Sequence, residues 1–273
     1  MFKIIFPLML CFLFPLCALE RQEKFVEIPE TPTLTIVPVP ATPEPNNVSL
    51  DIAFPEEGQI VGEPVVLNFR LTGYSLGTRS YFPRGEEILD QGIGQAIHIV
   101  IDDEPYLTYA GSGIDPYDQD GDYYEQNYQI TLPIDFSEGE HTIRAFPARS
   151  YGESLKSPDC FGMVSFYVGN RSHSQKIVDP ILTYNEPSPK QTYRENTPIL
   201  LDFLVTNGLL AKGSYGVKVR IDGKTIHTLY EETPYYIYGL AKGRHTLSIT
   251  LVDNRGKEMG GIYQQSSVVI RVS

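Results

Sequence analysis

The sequence predicts an all-β fold, two tandem antiparallel β-sandwiches of which the second is a shorter copy of the first. Repetition is the first observation behind this. Val65, Leu67, Phe69 and Leu71 alternate through VVLNFRL, and Ile199, Leu201, Phe203 and Val205 do so through ILLDFLV, at an offset of 134. Ile97, Ile99, Ile101 and Asp102 match Val217, Val219, Ile221 and Asp222 at an offset of 120. Gly139-Glu140-His141-Thr142-Ile143 matches Gly243-Arg244-His245-Thr246-Leu247 at 104, and Val164, Phe166 and Val168 keep that offset against Val268, Ile270 and Val272. The second observation is phase: every match preserves a period of two, so the same face is buried in both copies. The third is punctuation, because Gly, Pro, Asn and Asp separate short apolar runs and no run has a helical period.

Taken in chain order, residues 1–19 read as a signal peptide. Lys3 is followed by an apolar run from Ile4 to Leu19 that is short for a membrane span and holds Pro7 and Pro15. Cleavage after Ala18 fits. Cys17 offers lipid attachment as the alternative, although Phe14-Pro15-Leu16 are not the small residues that a bacterial lipoprotein signal uses. Residues 20–47 form a Pro/Thr-rich linker; its prolines rule out a helix and favour an extended spacer.

The first module is expected over 48–170, with strands near 48–54, 65–72, 96–101, 105–110, 128–132, 140–146 and 162–168. The second is expected over 178–273, with strands near 179–185, 199–206, 216–221, 225–230, 235–238, 244–252 and 267–272. Labelled A, B, C, C′, E, F and G, seven alternating strands per module suit an aligned sandwich. The phrase Leu240-Ala241-Lys242-Gly243-Arg244-His245-Thr246-Leu247 resembles the corner before strand F in fibronectin type III and immunoglobulin-like domains, with His where they carry Tyr. That resemblance implies the fold and no activity. On this reading His141 and His245 tie down the preceding loop, and Asp102 and Asp222 open tight turns. Arg144 to Gly162, with His98 to Tyr106, is similar to a stretch that recurs in uncharacterised exported bacterial proteins, and the likeness implies no known activity; the leader sets the expected location as the bacterial periplasm, the cell envelope or the medium.

Three loops are marked for function. Relative to the second copy, the first carries 14 extra residues between B and C and 16 between C and E. Because strands alternate in direction, the B–C, C′–E and F–G loops emerge at one end, where such folds place recognition. The C′–E insertion supplies Asp115, Asp118, Asp120, Asp122 and Glu125, a candidate calcium site although the EF-hand register fails. Tyr106, Tyr117, Tyr123 and Tyr124 belong to the same region, and aromatics there can stack on sugars or anchor a protein. In the F–G loop Arg149, Glu153 and Lys156 are candidates for gripping a carboxylate, phosphate or sugar, with an internal Arg149–Glu153 bridge as the plainer alternative.

Composition bounds the rest. A formal charge of −12, which becomes −13 once Lys3 leaves with the signal, excludes nucleic acid and an electrostatic hold on anionic lipid. Membrane contact is then confined to an N-terminal anchor. Cys160 is the one cysteine outside the leader, so no internal disulfide forms. Motifs for a nucleophile elbow, a zinc protease, a phosphate loop or a dinucleotide site are missing, which points away from an enzyme. The expected function is a structural or adhesive envelope role in which the first module presents loops to a protein or glycan. A calcium-assisted glycan module is the alternative, and a pilus-type periplasmic chaperone a weaker one.

Overall fold

A computed structural model describes residues 33–88, 92–111, 125–171 and 177–273. In chain order its strands are β1 (Thr35–Pro38), β2 (Ser49–Phe54), β3 (Ile60–Val61), β4 (Val66–Thr72), β5 (Ala96–Ile101), β6 (Leu107–Tyr109), β7 (Glu125–Thr131), β8 (Gly139–Ala148) and β9 (Gly162–Val168). They continue as β10 (Ile181–Glu186), β11 (Thr192–Tyr193), β12 (Ile199–Thr206), β13 (Gly216–Ile221), β14 (Lys224–Leu229), β15 (Tyr235–Tyr238), β16 (Gly243–Val252) and β17 (Gln265–Val272). A single helical turn, α1 (Arg84–Glu87), sits in the B–C insertion.

Two sandwiches result. The first sets a sheet ordered β2-β4-β7 against one ordered β3-β9-β8-β5-β6, and the second sets β1-β15-β12-β10 against β11-β17-β16-β13-β14. Among the named strands, pairing is antiparallel except at β3 with β9 and β11 with β17, which are short parallel bridges at matching places in the two copies. Strand order and alternation are of the immunoglobulin and fibronectin type III kind. Period-two alternation builds each core. Leu67, Phe69, Leu71, Ile97, Ile99, Ile143 and Phe166 lie in one cluster, and Leu201, Phe203, Val217, Val219, Ile249 and Ile270 in the other. Each such side chain stabilises its sandwich by about 1.5–3 kcal/mol relative to an exposed one.

Strand β1 departs from the sequence reading. Thr35–Pro38 falls in the stretch read as a spacer, yet it pairs antiparallel with β15, from Thr35 opposite Tyr238 to Pro38 opposite Tyr235. Leu34 and Ile36 pack on the second core. An edge strand needs hydrogen bonds on one side only, so proline at its end is tolerated.

The B–C insertion is pinched shut at its base, where Gly77 N–H donates to Gln95 O at 2.8 Å and Gln95 N–H to Thr78 O at 2.7 Å. Gly94 has φ +80°, and a Cβ there would lie 2.4 Å from the Gly77 carbonyl, so only glycine fits. The closed insertion folds toward the second sandwich. Ile88 and Tyr151 join Leu200 and Tyr236 in one apolar cluster, with Phe82 and Val39 against it. Val100, Tyr106 and Phe146 join Leu204 in another.

Candidate functional site

Outward-facing residues of β5 and β12 explain where the site forms. In β5 all six residues are buried, and in β12 Leu200, Asp202 and Leu204 are buried opposite the inward set. A strand buried on both faces needs a layer on each side. Here the second layer is the other sandwich, together with the segment 39–44.

The F–G loop lies in this junction. It turns tightly through Arg149 N–H to Glu153 O and Gly152 N–H to Arg149 O, both 2.8 Å, with Leu155 and Cys160 sunk into the first core. Its polar side chains are then aimed at other segments. Glu153 accepts hydrogen bonds from the Thr42 amide at 2.9 Å and the Thr42 hydroxyl at 2.7 Å, and pairs with Arg84 Nη1 at 2.9 Å. Arg149 donates to Pro43 O at 2.8 Å and Thr42 O at 3.3 Å, and Arg84 donates to Pro40 O. Glu44 accepts from the Lys156 and Ser157 amides. Arg84 also lies over the Tyr236 ring, 5.6 Å from its centroid, and Tyr236 donates to Glu87.

A second carboxylate gathers the two sandwiches directly. Asp202, fully buried on β12, accepts from Ser154 N–H at 3.1 Å, Ser154 Oγ at 2.6 Å and Asn185 Nδ2 at 2.6 Å, and pairs with Lys156 Nζ at 2.7 Å. Asn185 also donates to Gly152 O at 2.6 Å. Its Oδ1 lies 2.7 Å from His98 Nδ1, so that nitrogen carries the proton. His98 stacks on Tyr106 with centroids 3.8 Å apart, and burial holds its imidazole down to about 4. Tyr106 in turn donates to Glu186 at 2.5 Å, and Glu186 accepts further bonds from Ser188 N–H at 2.6 Å and Tyr193 at 3.2 Å. Burial outweighs these bonds and pushes the Glu186 carboxyl up to about 7. Below this row Arg144 donates to Leu182 O and Thr183 Oγ1, both at 3.1 Å, and lies over the Tyr263 ring.

Of the residues singled out by sequence, Tyr106, Arg149, Glu153 and Lys156 are brought together here. Tyr106, Arg149 and Glu153 are buried and Lys156 half-buried, and all four are engaged with the chain itself. Arg149 and Glu153 meet through their backbones rather than as an ion pair. Tyr117, Tyr123, Tyr124, Asp115, Asp118, Asp120 and Asp122 lie outside the described residues, as does Cys17. The Glu125 backbone opens β7, and its side chain is likewise outside them. Cys160 is buried, its thiol pushed up to about 12 by burial, and it donates to Val48 O. Arg84, Thr42, Glu44, Asp202, Asn185, His98 and Glu186 were not picked out by sequence. The available signal was the apolar outer face of ILLDFLV and AIHIVI, with one polar residue set into each.

A second polar arrangement occurs once in each sandwich. His141 Nδ1 lies 2.8 Å from Asp102 Oδ2 and its Nε2 2.9 Å from Ser137 O, while Asp102 Oδ1 accepts from Thr142 N–H at 2.8 Å. His245 repeats this with Asp222 at 2.8 Å and Ala241 O at 2.8 Å, and Thr246 N–H donates to Asp222 at 2.9 Å. The aspartates adopt φ +51° and +50°, a left-handed turn position that Asp tolerates. Each histidine therefore ties the strand F corner to the C–C′ turn. In the first sandwich the corner borders a cleft of about 360 Å³, lined by Asp102, Asp103, Glu138, Glu140, Ile262 and Tyr263 among others.

No protein family model matches the sequence, and no curated protein is significantly similar to it. Solved structures that resemble it include fibronectin(III)-like modules of CbhA from Clostridium thermocellum, at 16% identity over 82% of this chain and 94% of that one, TM-score 0.28. Dimeric latent PorU from Porphyromonas gingivalis is 17% identical over 84% of this chain and 21% of that one, TM-score 0.28. SGBP-B of the Bacteroides ovatus mixed-linkage glucan utilization locus, solved with a mixed-linkage heptasaccharide, is 14% identical over 86% of this chain and 46% of that one, TM-score 0.22. The chain therefore spans about a fifth of the second and under half of the third. At these identities and scores the likeness is one of fold type and carries nothing about ligand or activity.

Proposed function

We propose that this chain is an exported, non-catalytic structural protein whose two sandwiches are clamped into one stiff body, so that its role is to hold a fixed geometry in the envelope. The carrying observation is the buried junction, where Glu153, Arg84, Arg149, Asp202 and Lys156 join the segment 39–44, the F–G loop and the second sandwich. Buried charges are costly unless paired, so side chains in this position favour one arrangement over a range of hinge angles. The F–G loop and the B–C insertion, offered by the sequence for recognition, are spent on that junction. This moves the reading from presenting loops to maintaining spacing. The apolar N-terminal run supports export.

Distance measurement between spin labels tests the stiffness. Labels on Glu56→Cys and Thr225→Cys would report on the two sandwiches, with Cys11 and Cys17 replaced by Ser and Cys160 left buried. A single narrow distance distribution in dilute solution is the expected result. A broad or multiple distribution would overturn the proposal.

A further inference from the structure

The His–Asp corner is built twice on one frame, yet its charges are reversed between the copies. Glu104, Glu138 and Glu140 of the first sandwich correspond to Lys224, Lys242 and Arg244 of the second, at the offsets of 120 and 104 that relate the surrounding strands. Tyr167 corresponds to Arg271, which sits directly across from Arg244 on β16 and β17. Two like charges opposite each other on a sheet are destabilising, and among the described residues neither arginine has a carboxylate partner. Two carboxylates at this corner are already engaged, Asp222 with His245 and Glu195 with Lys242 at 3.9 Å. On the acidic corner Asp103, Glu104 and Glu138 are exposed, beside the cleft and its 44%-exposed Ile262.

The asymmetry extends to the halves. Residues 48–171 hold 20 acidic and 7 basic side chains, whereas residues 172–273 hold 9 acidic and 12 basic. We propose that the two corners are the halves of a head-to-tail contact between copies of this chain. The basic corner of one copy's second sandwich seats on the acidic corner of the next copy's first sandwich. The complement is carried by the chain itself, at the equivalent place on the same backbone frame, which is why a second copy is the occupant. Each copy shows one half at each of two different surfaces, so the contact is heterologous and propagates into an open array. A formal charge of −12 on every copy opposes approach at long range. At physiological salt, however, charges more than about 8 Å away are largely screened, and the facing corners decide. The inference rests on the scaffold reading, because an open array of defined spacing requires a stiff unit.

Sedimentation of the purified chain over a wide concentration range, at low and at high salt, tests it. The expected result is a mass that grows with concentration past the dimer and returns to one chain at high salt. Lys242→Gln/Arg244→Gln and Glu138→Gln/Glu140→Gln change three exposed side chains and the half-buried Glu140, whose bond from the Tyr167 hydroxyl a glutamine can still accept. Both variants keep the native circular dichroism, and each weakens self-association by about tenfold or more. Mixed together they form a one-to-one pair that grows no further, since each keeps the half that the other lost. A chain that stays single at every concentration overturns the proposal. So does association that neither variant weakens, such as one made through residues 4–19, and so does failure of the mixture to pair. Polygalacturonate binding by a chain that stays single would reassign the basic corner to an anionic glycan. The label distances are read on dilute single chains. A broad distribution with intact association therefore sinks the scaffold reading and the defined spacing of the array but leaves the corner-to-corner contact, and a narrow one without association sinks only the array.

Discussion

Glu186 and His98 are neighbours in the junction through Tyr106 and Asn185, and burial moves their proton affinities in opposite directions. The carboxyl is pushed up to about 7 and the imidazole down to about 4. Between the ordinary glutamate range and 7, the folded chain holds a proton on Glu186 that the unfolded chain has released. Stability from this group therefore falls as pH rises, by about 1.4 kcal/mol per unit. His98 does the reverse: the folded chain refuses a proton that the unfolded chain takes below about 6.5, so stability is lost as pH falls toward 4. The two slopes cancel between roughly pH 4.5 and 6.5. Removing one should expose the other. Relative to the parent chain, Glu186→Gln should gain about 2–3 kcal/mol on going from pH 4.5 to 6.5, and His98→Gln should lose a similar amount. Urea unfolding at the two pH values measures this; parallel pH profiles in parent and variants would refute the pairing.

At the scale of elements, the segment 33–44 serves both sandwiches, adding a strand to one and buried partners to the other. Thr42 meets the Glu153 carboxylate through its amide and its hydroxyl, and the hydroxyl also contacts Tyr151 at 3.0 Å. Thr42→Val keeps the shape and removes the hydroxyl, which should cost about 1–3 kcal/mol for the lost bond to a buried carboxylate that retains Arg84. Glu153→Ala leaves Arg84 buried without its counter-charge, and should cost about 3–5 kcal/mol. Amide exchange should rise across 35–39 and in β15 in the second variant, and an unchanged exchange pattern there would separate the strand from its clamp. How these elements read in sequence follows from their physics. The core-facing residues of a strand recur with period two whether or not its other face is also covered, so β4, β5, β8, β9, β12, β13, β16 and β17 were legible; that the outer faces of β5 and β12 are buried as well was not. β1 was not, because a four-residue edge strand inside a Pro/Thr-rich run has the composition of a spacer. Arg149, Glu153 and Lys156 were legible as a polar cluster but not as buried ones, since their partners Thr42, Arg84 and Asp202 are distant in sequence.

At the scale of the molecule, the two hydrophobic cores are separate, and the surface between them is the least ordinary part of the chain. It combines apolar contacts of Leu200, Leu204, Tyr236, Val100 and Phe146 with carboxylates that are almost wholly removed from water. Either sandwich unfolding alone would strand the other's half of these pairs. Asp202 would lose Ser154 and Lys156, and Tyr106 would lose Glu186. Breaking a buried pair by removing one side costs about 3–5 kcal/mol, a large fraction of the stability of a single domain of this size. The sandwiches should therefore unfold together. Calorimetry of the parent chain is expected to show one transition whose calorimetric and van't Hoff enthalpies agree. Asp202→Ala, which leaves both cores intact and removes the carboxylate they share, should split that transition into two. Two resolved transitions in the parent, or one undivided transition in the variant, would mean that the junction does not couple the sandwiches. The fixed geometry proposed for the chain would then lose its physical basis.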